Sequence, residues 1–469
     1  MSSYTSRREF LRYAARLSTA GVATPFALNL ATLTAARATT TDDYKALVCV
    51  FLLGGNDHAN TVLATDQSSW STYQSLRGAG SGVALGELND QSVLLPINPR
   101  QPQPDRSFAL HPELTALQSF FNQGDAAILS NVGPMIEPLT RESYLNETAQ
   151  APPKLFSHND QTSVWQAFAP EGALFGWGGR MGDLLASMNE DSSFTCISPS
   201  GNSVWISGID TVPYQVSVSG PTVIQGTQGG LSWPAGVSDL FETIVTRSSA
   251  NVFEQAVAGV TRSSINAQRK LDNALIGSEV LDAIPVVPLT GQSNWLATQL
   301  RVVARMIAAR ADLGMKRQVF MVTLPGFDTH DAQLQRHPVL LQTLNQGIEY
   351  FMKQLSNPAV NAEECVTLMT ASEFGRTLAI NGDGTDHGWG SHHFIVGKGV
   401  NGGDIYGRFP NYERDGQDDI GSGRLLPNYS VDQYGSTLAS WFGIGDSELD
   451  DIFPNLKNFG SARDLGFML

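Results

Sequence analysis

The chain has 469 residues, 42% of them hydrophobic and 16% charged, with 45 Asp and Glu against 30 Lys and Arg for a net charge of −15. That apolar share supplies a sizeable core and excludes a wholly disordered chain. The acidic balance excludes nucleic acid as the expected partner, because like charges repel.

The N-terminus reads as an address. Ser6-Arg7-Arg8-Glu9-Phe10-Leu11 has the twin-arginine export pattern, a mildly apolar run spans Ala14 to Leu33, and Ala36-Arg37-Ala38 offers small residues for cleavage. Residues 1–38 are expected to be a signal peptide and the protein periplasmic or secreted. Arg16 and many hydroxyl residues make the run a poor anchor, and no later apolar span reaches about 18 residues. No integral membrane segment is therefore expected in the mature chain.

Ala46 to Leu53 is a continuous apolar, β-branched run ending at Gly54-Gly55-Asn56-Asp57, which predicts a buried, central, parallel strand with a sharp turn after it. After a polar excursion over 65–110, Pro112 opens a helix to Phe121, and Asp125 to Gly133 is a second strand. Ser157 precedes a helix over 162–168, and Gly176 to Arg180 precedes another over 181–188. Residues 194–235 are rich in short β pieces, and 194–290 reads as an insertion or cap. An amphipathic helix spans Trp295 to Leu313, with Leu296, Leu300, Val303, Ile307 and Ala311 on its core face. Arg317 to Leu324 is a third strand followed by Asp328-Thr329-His330, a helix covers 339–355, and Val366 to Thr370 is a fourth strand followed by Ser372-Glu373-Phe374-Gly375-Arg376. A short strand at 394–397 and a helix at 431–442 complete the pattern. Strands alternating with helices predict an α/β fold, a doubly wound and mainly parallel sheet with a β-rich insertion.

Three strands end in acidic residues: Asp57, then Asp328 with His330, then Glu373. In a parallel sheet these ends share one edge, so the residues converge. Asp386, His387 and His392 follow the fourth strand. Such a mixed imidazole and carboxylate set suits a divalent metal, zinc or manganese before calcium or magnesium. A hydrogen-bonded structural cluster is the competing reading of the same residues.

The run Phe51-Leu52-Leu53-Gly54-Gly55-Asn56-Asp57 behind a twin-arginine leader, then Phe327-Asp328-Thr329-His330, Ser372 to Arg376 and Gly384 to Gly388 resembles a large bacterial family of exported proteins catalogued as a domain of unknown function. That family is grouped with the alkaline phosphatase and sulfatase superfamily, and the resemblance spans about residues 45–465. It implies an alkaline-phosphatase-like domain with one or two metals at strand ends. Asp57 would be the first ligand, Asp328 and His330 a pair, Glu373 would stand where an Asp-His pair is usual, and either His387 or His392 would supply the late histidine. It also implies a nucleophile at a helix N-terminus. Ser157 fits that place, and an ordinary N-cap is the alternative there. His158 would be its acid-base partner, and Asn56, Arg180 or Arg376 would contact the anionic group, unless the arginines make structural ion pairs. The implied activity is metal-dependent hydrolysis of phosphate or sulfate esters, in small molecules or polymers. The alternative is a non-catalytic exported protein for binding or surface assembly.

Overall fold

Nine residues, Lys45–Leu53, form strand β1, and seven of them are buried because both faces of the strand are covered. Ala46, Val48, Val50 and Leu52 point into one core and Leu47, Cys49 and Phe51 into the other. A strand covered on both faces reads as an unbroken apolar run, which is why alternation is missing from its sequence. The computed structural model describes residues 43–78, 82–87, 89–227, 236–275 and 281–469. The expected signal peptide lies outside them. No helix among the described residues is long and apolar enough to cross a membrane.

The remaining strands that position the site are β2 (Ala126–Gly133), β3 (Cys196–Ser198), β4 (Arg317–Pro325), β5 (Val366–Ala371) and β6 (Ser391–Val396). In the ten-stranded main sheet, β4 and β5 flank β1 and both run parallel to it. Beyond β4 lies β3, also parallel, and beyond β5 lies β6, antiparallel, with β2 antiparallel to β6. The fold is thus the expected α/β type, with one reversed strand inside a mainly parallel sheet. The segment from residue 194 begins in the scaffold: β3 is a strand of the main sheet, and Tyr214–Ser217 continues it toward the edge.

Helices cover both faces. Helix α1 (Gln67–Arg77) ends near the site, and α2 (His158–Ala167) and α3 (Trp177–Leu185) lie on the second-core side. Helix α4 (Trp295–Ala308) packs on α5 (Gln333–Leu355), burying Leu296, Leu300, Val303 and Ile307 as the sequence stripe predicts, whereas Ala311 lies beyond its end and is exposed. It stops at Ala309 instead of running unbroken to Leu313, where a separate turn of helix forms. Helix α5 starts six residues before the expected Val339, with Pro338 inside it. Asp432 lies in the first turn of α6 (Val431–Phe442), fully buried.

Candidate metal centre

The parallel pairing aligns Leu53 with Pro325 and Phe51 with Ala371, so the segments after β1, β4 and β5 leave the sheet at one edge. Gly54 makes the convergence possible. Its φ is +116°, and a Cβ there would sit 2.3 Å from the backbone nitrogen of Asp328. Only glycine combines that left-handed turn with so close an approach. Just past β5, a hairpin of Arg376–Asn381 and Gly384–His387 folds back and presents Asp386 and His387.

Asp328 is the hub. Its Oδ1 lies 2.9 Å from His330 Nε2 and 3.2 Å from His387 Nε2, and its Oδ2 lies 3.4 Å from His158 Nε2. The two imidazole nitrogens of His330 and His387 are themselves 3.0 Å apart. Ligand atoms of His158, Asp328 and His387 all lie within 4.8 Å of one another.

Each imidazole is held from behind. His387 Nδ1 faces the Phe156 carbonyl at 2.8 Å, His330 Nδ1 faces Asp386 Oδ1 at 3.2 Å, and His158 Nδ1 faces Glu373 Oε1 at 2.9 Å. A carbonyl and two carboxylates can only accept, so each Nδ1 carries a hydrogen, and each ring turns its Nε2 on Asp328. Phe374 stacks on His387 and packs against His158, which fixes the ring planes. Without a cation or added protons, lone pairs would face lone pairs here. That donor set fits a divalent transition ion, with Phe156, Asp386 and Glu373 as orienting partners.

The electrostatics follow from these neighbours. Burial works to raise the Asp328 carboxyl, but the hydrogen bond and charge of Arg376 at 2.7 Å prevail and hold it below the usual range. The Glu373 hydrogen bond raises His158, whereas burial lowers His387.

Several expected site residues serve elsewhere. Asp57 is not free to bind a metal: it is fully buried, its two oxygens take Arg77 at 2.5 and 2.9 Å, and Gln333 adds a bond at 2.5 Å. Burial alone would raise that carboxyl, yet Arg77 brings it down to about 2. His392 lies apart from the hub. Its Nδ1 accepts from the Asn131 amide and its Nε2 meets the Tyr412 hydroxyl, because β6 turns it into the first core beside Phe409. Glu373 stands behind His158, 2% exposed, and also accepts from the Gly54 amide at 2.8 Å. Asp386 likewise stands behind His330.

Asn56 is buried against Thr61 and His337 instead of facing a ligand. Arg180 donates to the carbonyls of Asp451 and Ile452 and has no bond to Asp328 or the three imidazoles. Arg376 is fully buried and occupied by Asp328, the Gly54 carbonyl and Thr385, so it acts as a structural counter-charge, not a fork for an anion. The Ser157 hydroxyl donates to Asp160 at 2.8 Å, which turns it from the hub. Sequence reasoning missed Arg77, Gln333 and the Phe156 carbonyl. Nothing in the residue pattern marks a backbone carbonyl as an imidazole partner, and Arg77 looks like an ordinary basic end to a helix.

The profile of a family described as a protein of unknown function (DUF1501) matches residues 44–424. A comparison with curated proteins finds no match. Among solved structures, one titled Ps i-CgsB in complex with k-i-k-neocarrahexaose aligns over 89% of this chain and 77% of its own, at 9% identity and a TM-score of 0.33. The lipoteichoic acid synthase LtaP from Listeria monocytogenes aligns over 90% and 76%, at 10% identity and a TM-score of 0.34. Overlaps this loose carry no argument about chemistry.

Proposed function

We propose that this chain, which belongs to that family of unknown function, is an exported hydrolase of phosphate or sulfate esters that works with a divalent ion held by Asp328, His158, His330 and His387. One observation carries the reading: three imidazoles whose Nδ1 atoms are all engaged turn their Nε2 atoms on one carboxylate. Zinc or manganese suits these donors better than calcium or magnesium. An ion there supplies Lewis acidity and a more acidic water. The anionic group needs that ion, since three carboxylates, Asp328, Asp386 and Glu373, surround the imidazoles, Arg376 is paired with Asp328, and Arg424 donates to the His387 carbonyl. Among the described residues, no Ser, Thr or Cys side chain has a hydrogen bond to Asp328 or the three imidazoles. Attack therefore falls to water, whose oxygen bonds to phosphorus or sulfur as the ester oxygen leaves and takes a proton. Export rests on the twin-arginine leader.

The engagement of Ser157 by Asp160 and of Asp57 by Arg77 favours a second reading, a non-catalytic exported binding protein that keeps the ion. Elemental analysis of the purified protein and turnover of a panel of phosphate and sulfate esters decide between them. Stoichiometric metal with turnover that vanishes in Asp328→Ala is expected. Metal without turnover across the panel would leave the binding reading, and absence of metal would overturn both.

A further inference from the structure

Beside the hub lies a cleft of about 530 Å³ that includes His158 and Glu373 in its wall. The remaining lining has a consistent chemistry. Leu53 and Val204 give an apolar surface, Asn159 and Thr162 give an amide and a hydroxyl, and Glu171 adds an exposed carboxylate. Among the described residues, no lysine or arginine lines it. Nearby cations are already used: Lys154 pairs with Asp160 at 3.1 Å, and Arg376 with Asp328 at 2.7 Å.

The exposed Glu171 carboxylate repels a second anion away from the ion, and Glu373, already bonded to His158 and the Gly54 amide, offers it no donor. Amide, hydroxyl and carboxylate groups beside apolar surface instead take hydroxyls by hydrogen bonds and carbon faces by contact. We propose that this cleft receives an uncharged, hydroxyl-rich group, the alcohol side of the ester, while the single anionic group sits at the ion. The inference rests on the hydrolase reading for which end of the substrate lies where, but not for what the cleft prefers. It makes polyanionic polymers poor substrates wherever a second charge must enter the cleft.

The test has two arms, both on the full-length protein loaded with zinc. In saturation-transfer NMR with an equimolar mixture of maltotriose and trigalacturonate, transfer to maltotriose alone is expected. Glu171→Lys, a change at an exposed position, is expected to bring trigalacturonate into contact. In the second arm, kcat/KM for glycerol 1-phosphate should exceed that for 3-phosphoglycerate at least tenfold, and Glu171→Gln should narrow the ratio. Equal transfer to both trisaccharides, transfer to neither, or no response to Glu171→Lys would overturn the cleft assignment even if both esters were hydrolysed. Selective transfer with both esters inert would support the cleft and count instead against the hydrolase reading.

Discussion

Asp57→Ala gives the sharpest division between a structural and a metal-binding role for the first strand end. Asp57 and Arg77 are both fully buried, joined by bonds of 2.5 and 2.9 Å. The pair holds the Asp57 carboxyl at about 2 against an ordinary 3.8. At about 1.4 kcal/mol per pKa unit, that drop alone corresponds to roughly 2.5 kcal/mol in favour of the ionised form. Its sign is that of a depressed acid: the stability is present above pH 3.8 and is lost as pH falls through about 2. Removing the carboxylate also strands a guanidinium in the core, and breaking one side of a buried pair costs about 3–5 kcal/mol in all. Urea unfolding followed by tryptophan fluorescence should show a loss of that size, with zinc stoichiometry unchanged in the gentler Asp57→Asn. Replacing the pair together, as Asp57→Leu with Arg77→Met, should recover part of the loss. The reasoning fails if Asp57→Ala costs under about 1 kcal/mol, or if Asp57→Asn halves the bound zinc.

Other expectations follow from the same geometry. Gly54→Ala places a Cβ against the Asp328 backbone and forces an unfavourable φ, so about 1–3 kcal/mol of strain and at least a tenfold weaker zinc affinity are expected, read by unfolding and by competition with a chelating dye. Zinc at 100 times its Kd should raise the unfolding free energy by about 2.7 kcal/mol, and the gain should be absent in Asp328→Ala. Burial lifts the Asp432 carboxyl to about 7, against opposing hydrogen bonds from Asn455. The folded state therefore holds a proton that the unfolded state releases above 3.8. Stability should fall between pH 4 and 7, by at most about 1.4 kcal/mol per pH unit, and Asp432→Asn should flatten that slope in urea titrations.

The parallel core of the fold was legible because strands covered on both faces must be apolar at every position. β1 reads that way from Ala46 to Leu53, and β2, β4 and β5 do over most of their length, with Ser130, Asn131, Gln318, Thr367 and Thr370 buried among the apolar residues. β6 was placed late because its first residues, Ser391, His392 and His393, are polar despite being buried. Its reversed direction has no local signature, since the same side chains suit either direction in a covered sheet. The helix expected from Val339 starts at Gln333, so that α5 carries Pro338 in its second turn. The packing of α5 against α4 outweighs that local interruption.

For the site, sequence spacing identifies which groups arrive at the sheet edge but not which are still available once there. Asp57 and Asp328 follow strand ends in the same way, and both meet an arginine. What separates them is geometry around the carboxylate. Arg77 and Gln333 close both oxygens of Asp57 inside the core, whereas Arg376 takes only Oδ1 of Asp328 and leaves the carboxylate 42% exposed to solvent beside three imidazoles. A carboxylate with all its lone pairs engaged is a structural anion; one that faces further lone pairs demands a cation. The direction of those lone pairs depends on which ring nitrogen carries the hydrogen. Phe156, Asp386 and Glu373 set that from 231, 56 and 215 residues away in sequence. The candidate site thus depends on pairings between separate motifs, and on the Phe156 carbonyl outside them, that no one motif shows by itself.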